Sequence, residues 1–106
     1  MNTERSHLQI LDGPEAGTLL LSGDLDSHSC RILAERMDAQ GRTRPLTIDL
    51  SEVRFMDSSG LRILVADHEA RSGSDAQLVL MNPSPAVLRL LEITSLSDLL
   101  NVVRRS

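Results

Sequence analysis

The segment Phe55-Met56-Asp57-Ser58-Ser59-Gly60-Leu61 concentrates the chemistry of this chain. Two hydroxyls, a carboxylate and a glycine stand between an apolar pair and the start of an amphipathic run. A serine at the start of a helix meets unpaired backbone N–H groups and the positive end of the helix dipole, a setting that can receive a phosphate. Gly60 lets the backbone come close. Taken alone, Asp-Ser-Ser-Gly reads first as a helix cap, with Ser58 or Ser59 as the N-cap stabilising by about 1 kcal/mol. The wider sequence decides between cap and switch.

Other chemistries fail on residue types. A nucleophile elbow needs Gly-x-Ser-x-Gly, and Met56 stands at its first glycine position. His28 and His68 read as surface or helix-face residues. All eleven basic residues are Arg. Without a lysine there is no Walker A motif, no Schiff base and no receiver-type phospho-aspartate site, so Asp49 reads as a structural strand-end residue. His7, His28 and His68 lack metal-ligand spacing, and Cys30, the one cysteine, fits a buried helix stripe. The expectation is a protein that is not an enzyme and carries no metal and no cofactor.

The elements that must hold this segment follow from pattern and punctuation. Leu8 to Leu11 and Thr18 to Leu21 read as strands joined through Asp12-Gly13-Pro14, the second stopped by Ser22-Gly23. Asp26 and Ser27 are helix caps, followed by the stripe Cys30, Leu33, Ala34 and Met37, which Gly41 ends. Leu46, Ile48 and Leu50 alternate as a strand, with Phe55-Met56 a separate short apolar pair. Leu61 to Arg71 reads as a helix closed by Gly73, and Leu78 to Met81 as a strand. Ser84-Pro85 opens a helix striped by Val87, Leu90 and Leu91. Val102-Val103 forms a last short strand. Strands alternating with helices imply an α/β domain with a mixed, mostly parallel β-sheet covered by α-helices. The Ser58 loop then lies at the carboxyl end of a strand, where sites of open α/β sheets gather. On its helix, Leu61, Leu64, Val65 and His68 form one stripe; Ile63, Ala66 and Ala70 fall on another side.

The 106 residues suffice for one domain, 1–106, with its core at about 8–103. A net charge of −4 and a single aromatic, Phe55, argue against nucleic acid as a partner. No apolar run approaches the roughly 20 residues of a membrane span, and Met1 to His7 lacks an export core, so a cytoplasmic location is expected.

Four pieces together resemble the STAS domain of bacterial anti-sigma factor antagonists: Gly23-Asp24-Leu25-Asp26, Ile48-Asp49-Leu50, Phe55 to Leu61, and Ser84-Pro85-Ala86-Val87-Leu88-Arg89-Leu90-Leu91. They stand in family order and at family spacing. The resemblance implies a partner-switching protein. Unphosphorylated, it binds an anti-sigma factor that is also a serine kinase, and so frees a sigma factor. The kinase phosphorylates the first Ser of the motif, here Ser58, and a serine phosphatase resets it. Asp24, Asp26, Asp57, Ser59, Gly60, Arg62 and Ile63 are the expected partner-binding residues around it, on a monomer or weak dimer. A free-standing STAS subunit of an ABC transporter, or of a stress-signalling complex, is the alternative with the same fold. Arg62 stands where the family often has Gly, and Asp24 where Glu is usual. The family commonly continues into a final helix after the last strand; that helix is expected to be absent or reduced here, leaving the face it would cover exposed.

Overall fold

The computed structural model describes residues 8–104; His7 and the rest of the first seven residues lie outside it, as do 105–106. The elements are β1 (Leu8–Asp12), β2 (Thr18–Leu25), α1 (Cys30–Gln40), β3 (Leu46–Met56), α2 (Ser58–Ala70), β4 (Leu78–Met81), α3 (Pro85–Ile93) and β5 (Asn101–Val103). The five strands form one sheet in sequence order, with β1 antiparallel to β2 and every other pair parallel.

Two expected strand boundaries give way. Ser22-Gly23 does not stop β2, because Gly23 takes φ 105° inside the strand and the chain continues to Leu25. Leu46–Leu50 and Phe55-Met56 are one strand of 11 residues. The periodicity was hidden by two register shifts: Leu20 faces Asp49 but Ser22 faces Glu52, and Gly23 faces Val53 but Asp24 faces Phe55. Each shift puts an extra residue on β3, which resets the in-out alternation. Asp49 is therefore in mid-strand. Its Oδ1 accepts from the Ser51 N–H at 2.9 Å and from the Ser51 hydroxyl at 2.7 Å, which holds the first irregularity.

Right-handed crossovers that step in one direction, from β2 to β5, place all their helices on one side of the sheet. That side is buried: Leu19, Leu21, Ile48, Leu50 and Leu80 meet Leu33 and Met37 of α1, Leu61 and Leu64 of α2, and Val87 and Leu91 of α3. The opposite residues, among them Leu20, Thr47, Asp49, Val79 and Met81, remain half-buried. The helices thus cover one face of the sheet, not both. Beyond the end of β4, Ser84 completes the edge of β3. It donates its N–H to the Leu50 carbonyl and its hydroxyl to the Val53 carbonyl, while capping α3 at the Val87 N–H as expected.

Arg71, expected as an ordinary helix end, is fully buried. Its Nε donates to Asp67 Oδ2 at 2.7 Å, and its two terminal nitrogens donate to the carbonyls of Gly41, Arg44 and Ala76. Arg42 holds the other Asp67 oxygen at 3.0 Å. One guanidinium thereby ties together the α1–β3 and α2–β4 connections, at the end of the sheet away from Ser58. Removing one member of a buried ion pair leaves the other uncompensated, which costs about 3–5 kcal/mol. Arg71→Met should lower the unfolding free energy by that order in urea titration, and Asp67→Leu added to it should restore part of the loss. An unmoved urea midpoint in Arg71→Met would contradict this role.

Candidate functional site

β2 and β3 end side by side, with Leu25 opposite Met56, and the Asp57 N–H donates to the Leu25 carbonyl at 3.2 Å. Asp57 is the N-cap of α2. Its backbone is extended, its Oδ1 accepts from the Ser59 N–H at 2.9 Å, and its carbonyl accepts from Gly60 and Leu61. Neither Ser58 nor Ser59 is the cap. The helix begins three residues before the first apolar stripe position because the cap, not the stripe, sets where helical backbone starts. Ser58 is left as the first helical residue, exposed, with a hydroxyl that makes no hydrogen bond among the described residues. The carboxylate of Asp57 already occupies the helix N-terminus.

Gly60 is buried beneath this turn. A Cβ at this position would lie 2.8 Å from Leu25 Cγ and 2.9 Å from Met56 Cγ. The close approach that the glycine permits within the chain is to the two strand ends. Its part in the site is to press the first turn of α2 onto the sheet so that Ser58 points away from it.

Asp26 follows directly after β2. Its Oδ1 accepts from the N–H groups of His28 and Ser29 at 3.0 Å each and from the Ser29 hydroxyl at 3.1 Å. Ser29, in turn, donates to the Asp24 carbonyl at 2.8 Å. Asp26 thus caps the turn before α1, whereas Ser27 is exposed and caps nothing among the described residues. Burial pushes the Asp26 carboxyl upward, but the hydrogen bonds from Ser29 and His28 and the nearby His28 charge outweigh it and hold the group below the ordinary carboxylate range. Asp24 pairs with Arg54 at 3.3 Å. Phe55, opposite Asp24 in the ladder, lies on the side of β3 away from buried Met56 and is 50% exposed. The lone aromatic of the chain is therefore a surface residue next to the loop. Reading Phe55-Met56 as a pair concealed that only Met56 points inward.

The structure gathers Asp26, Asp57, Ser58 and Ser59 at one end of the sheet. Arg62 is exposed one turn after Ser58, on the same helix face. Ile63 points elsewhere: it is half-buried and lines a small cleft with Ala34, Met37 and Arg42, between α1 and α2. Ala66 shares that cleft, and Asp67, which interrupts the expected pattern of α2, is buried by its two arginines. No group of three His, Cys, Asp or Glu side chains gathers for a metal among the described residues. No helix is long and apolar enough to cross a membrane.

The lowered Asp26 pKa fixes the sign of a pH effect. A carboxyl depressed in the folded state adds stability above its unfolded value of about 4, and that stability is lost as pH falls through the lower folded value. Asp26→Asn should therefore be less stable than wild type at pH 7, with the gap closing as pH falls below the ordinary carboxylate range, read by thermal unfolding across pH. A gap that widens in acid would contradict the assignment.

The family profile described as "Mlab, STAS domain" matches residues 9–102. An anti-sigma-B factor antagonist of Staphylococcus aureus is 34% identical over 84 residues, covering 77% of this chain and 78% of that protein. An anti-sigma factor antagonist from Mycobacterium paratuberculosis is similar in structure, with TM-score 0.77 at 28% identity over 92% of this chain and 86% of the other. SpoIIAA, an anti-sigma factor antagonist of Bacillus, shares the fold at 19% identity. Its unphosphorylated form gives TM-score 0.73 over 94% of this chain and 89% of that one, and its phosphorylated form 0.67 over 94% and 92%.

Proposed function

The chain belongs to the STAS domain family, and from that premise we propose that it is an anti-sigma factor antagonist, a protein that acts by binding an anti-sigma factor and not by turnover. One observation carries the reading furthest. Ser58 stands exposed, its hydroxyl without a hydrogen bond among the described residues, at the head of a helix whose Ser59 N–H is already capped by Asp57. A residue so placed is open to a kinase and contributes no cap that modification would remove. Phosphorylation adds about −1.5 to −2 charges. With Asp57 and Asp26 beside it, the added charge projects toward the partner and acts through interfacial complementarity, with the domain itself unchanged.

The partner in this reading is an anti-sigma factor with serine kinase activity, reset by a serine phosphatase, in the cytoplasm. The contact surface comprises Ser58, Ser59, Asp57, Asp26 and Asp24, with Phe55 as an aromatic anchor of the kind that dominates interfaces. Arg62, exposed one turn after Ser58 on the same helix, would soften the charge step where a glycine would leave it bare. Ile63 and Ala66 extend the surface toward α1. Partial burial of Ile63 makes Ile63→Asp a weaker test of binding than substitution at Phe55, because a carboxylate there also disturbs packing.

Ser58 is expected to be the residue labelled when the protein is incubated with its kinase and ATP, as read by mass spectrometry. Phosphate on Ser59 would overturn the assignment. Ser58→Ala should bind the anti-sigma factor as wild type does, and the Ser58-phosphorylated protein at least about tenfold more weakly. Equal affinities in calorimetry would rule out a charge-based switch. An affinity pull-down that recovers an ABC ATPase and no serine kinase would favour the transporter-subunit reading.

A further inference from the structure

The helix-free face of the sheet carries its own pattern. One ladder row runs across all five strands as Leu11, Leu20, Asp49, Met81 and Val103. Leu11 is 57% and Val103 43% exposed at the two edges. The next row, Thr18, Thr47 and Val79, is half-buried, and the hairpin turn at Pro14 and Glu15 forms a rim. The concavity so formed has a volume of about 280 Å³, and no residue of α1, α2 or α3 lines it. A sheet face of this size with aliphatic side chains on every strand but one is unusual on a protein surface unless something covers it.

The unpaired charges on this face are acidic; Asp24 on the same side is neutralised by Arg54, and Arg44 borders the cleft beside Glu15. Glu15 stands at the rim, Asp49 in the middle of the aliphatic row, and Glu52 further along β3 opposite Ser22. Among the described residues none of these three makes an ion pair, whereas Asp12, Asp24, Asp38 and Asp67 all do. Asp49 uses only Oδ1 for Ser51 and leaves Oδ2 open. Stacking a second copy of this face about a twofold axis would set the Asp49 side chains against each other in a low-dielectric contact. The complement is a surface that is aliphatic along one stripe and positively charged beside it. Five strands span about 19 Å, the length of between three and four helical turns.

We propose that this face is a second docking surface, which takes a basic amphipathic helix of a partner protein: Leu-type side chains lie over Leu20 and Met81, and arginines or lysines lie against Asp49, Glu15 and Glu52. It does not depend on the anti-sigma reading, and the Ser58 charge does not govern it. Asp49 and Met56 are seven strand steps apart, roughly 23 Å, more than twice the screening length of about 8 Å at physiological salt. The protein can thus remain held at this face while its other end switches.

The test uses two synthetic 18-residue helical peptides with leucine at i, i+3, i+4 and i+7, one flanked by arginine and one by glutamate. Amide chemical shifts of the full chain are followed during titration. The arginine peptide should move the signals of Leu11, Leu20, Asp49, Met81 and Val103, and the glutamate peptide should not. Glu15→Arg with Glu52→Arg, both at exposed positions, should weaken the arginine peptide about tenfold with an unchanged thermal midpoint. Ser58→Asp should change that affinity less than twofold. Three results would overturn the proposal: shifts confined to the Ser58 loop, an equal response to both peptides, or self-association that Leu11→Ser with Val103→Ser abolishes. The last would assign the face to a second copy of the chain.

Discussion

Everything at the Ser58 end depends on how closely the first turn of α2 lies against the ends of β2 and β3. The distance is set by a missing side chain. At Gly60 a methyl group would intrude on Leu25 and Met56, both in the core, so the helix could sit there only by moving outward. With glycine, the Asp57 N–H reaches the Leu25 carbonyl, Asp57 caps the helix, and Ser58 is turned to solvent. Gly60 thus sets where Ser58 stands.

The two ends of the sheet solve opposite problems. At one end Arg71 donates to Asp67 and to three carbonyls and locks two connections in the interior. At the other, polar groups are arranged to stay outside: Asp26 holds the turn before α1, Asp57 holds the start of α2, and the hydroxyl between them has nothing to hold. A rigid scaffold with an uncommitted serine is suited to signalling by charge. The buried pair costs desolvation, but its hydrogen bonds to the carbonyls of Gly41, Arg44 and Ala76 offset that cost and fix the connections at its own end.

Much of this was legible in the chain. Alternating apolar periods gave the order of elements, Ser84-Pro85 gave the start of α3, and the four motif pieces pointed to the family whose profile matches. What failed failed for identifiable reasons. Two β-bulges reset the alternation of β3 and hid one long strand as two fragments. The helix began at its capping carboxylate, earlier than its apolar stripe. Asp67 and Arg71 look like surface residues in any pattern of helical periodicity, since only the tertiary fold brings the Gly41, Arg44 and Ala76 carbonyls to the guanidinium. The one-sided covering of the sheet follows from the handedness of successive crossovers, which local periodicity does not express.

The central claim is that Ser58 carries a signal in its charge while the fold stays as it is. Amide chemical shifts of the Ser58-phosphorylated chain, compared with the unmodified one, test it most directly. The account predicts changes confined to residues near Asp26, Phe55 and the first turns of α2, with Ile48, Arg71 and Leu80 unmoved. Changes that spread to Arg71 and the central strands would show that the phosphate works by refolding the domain, and would contradict the account.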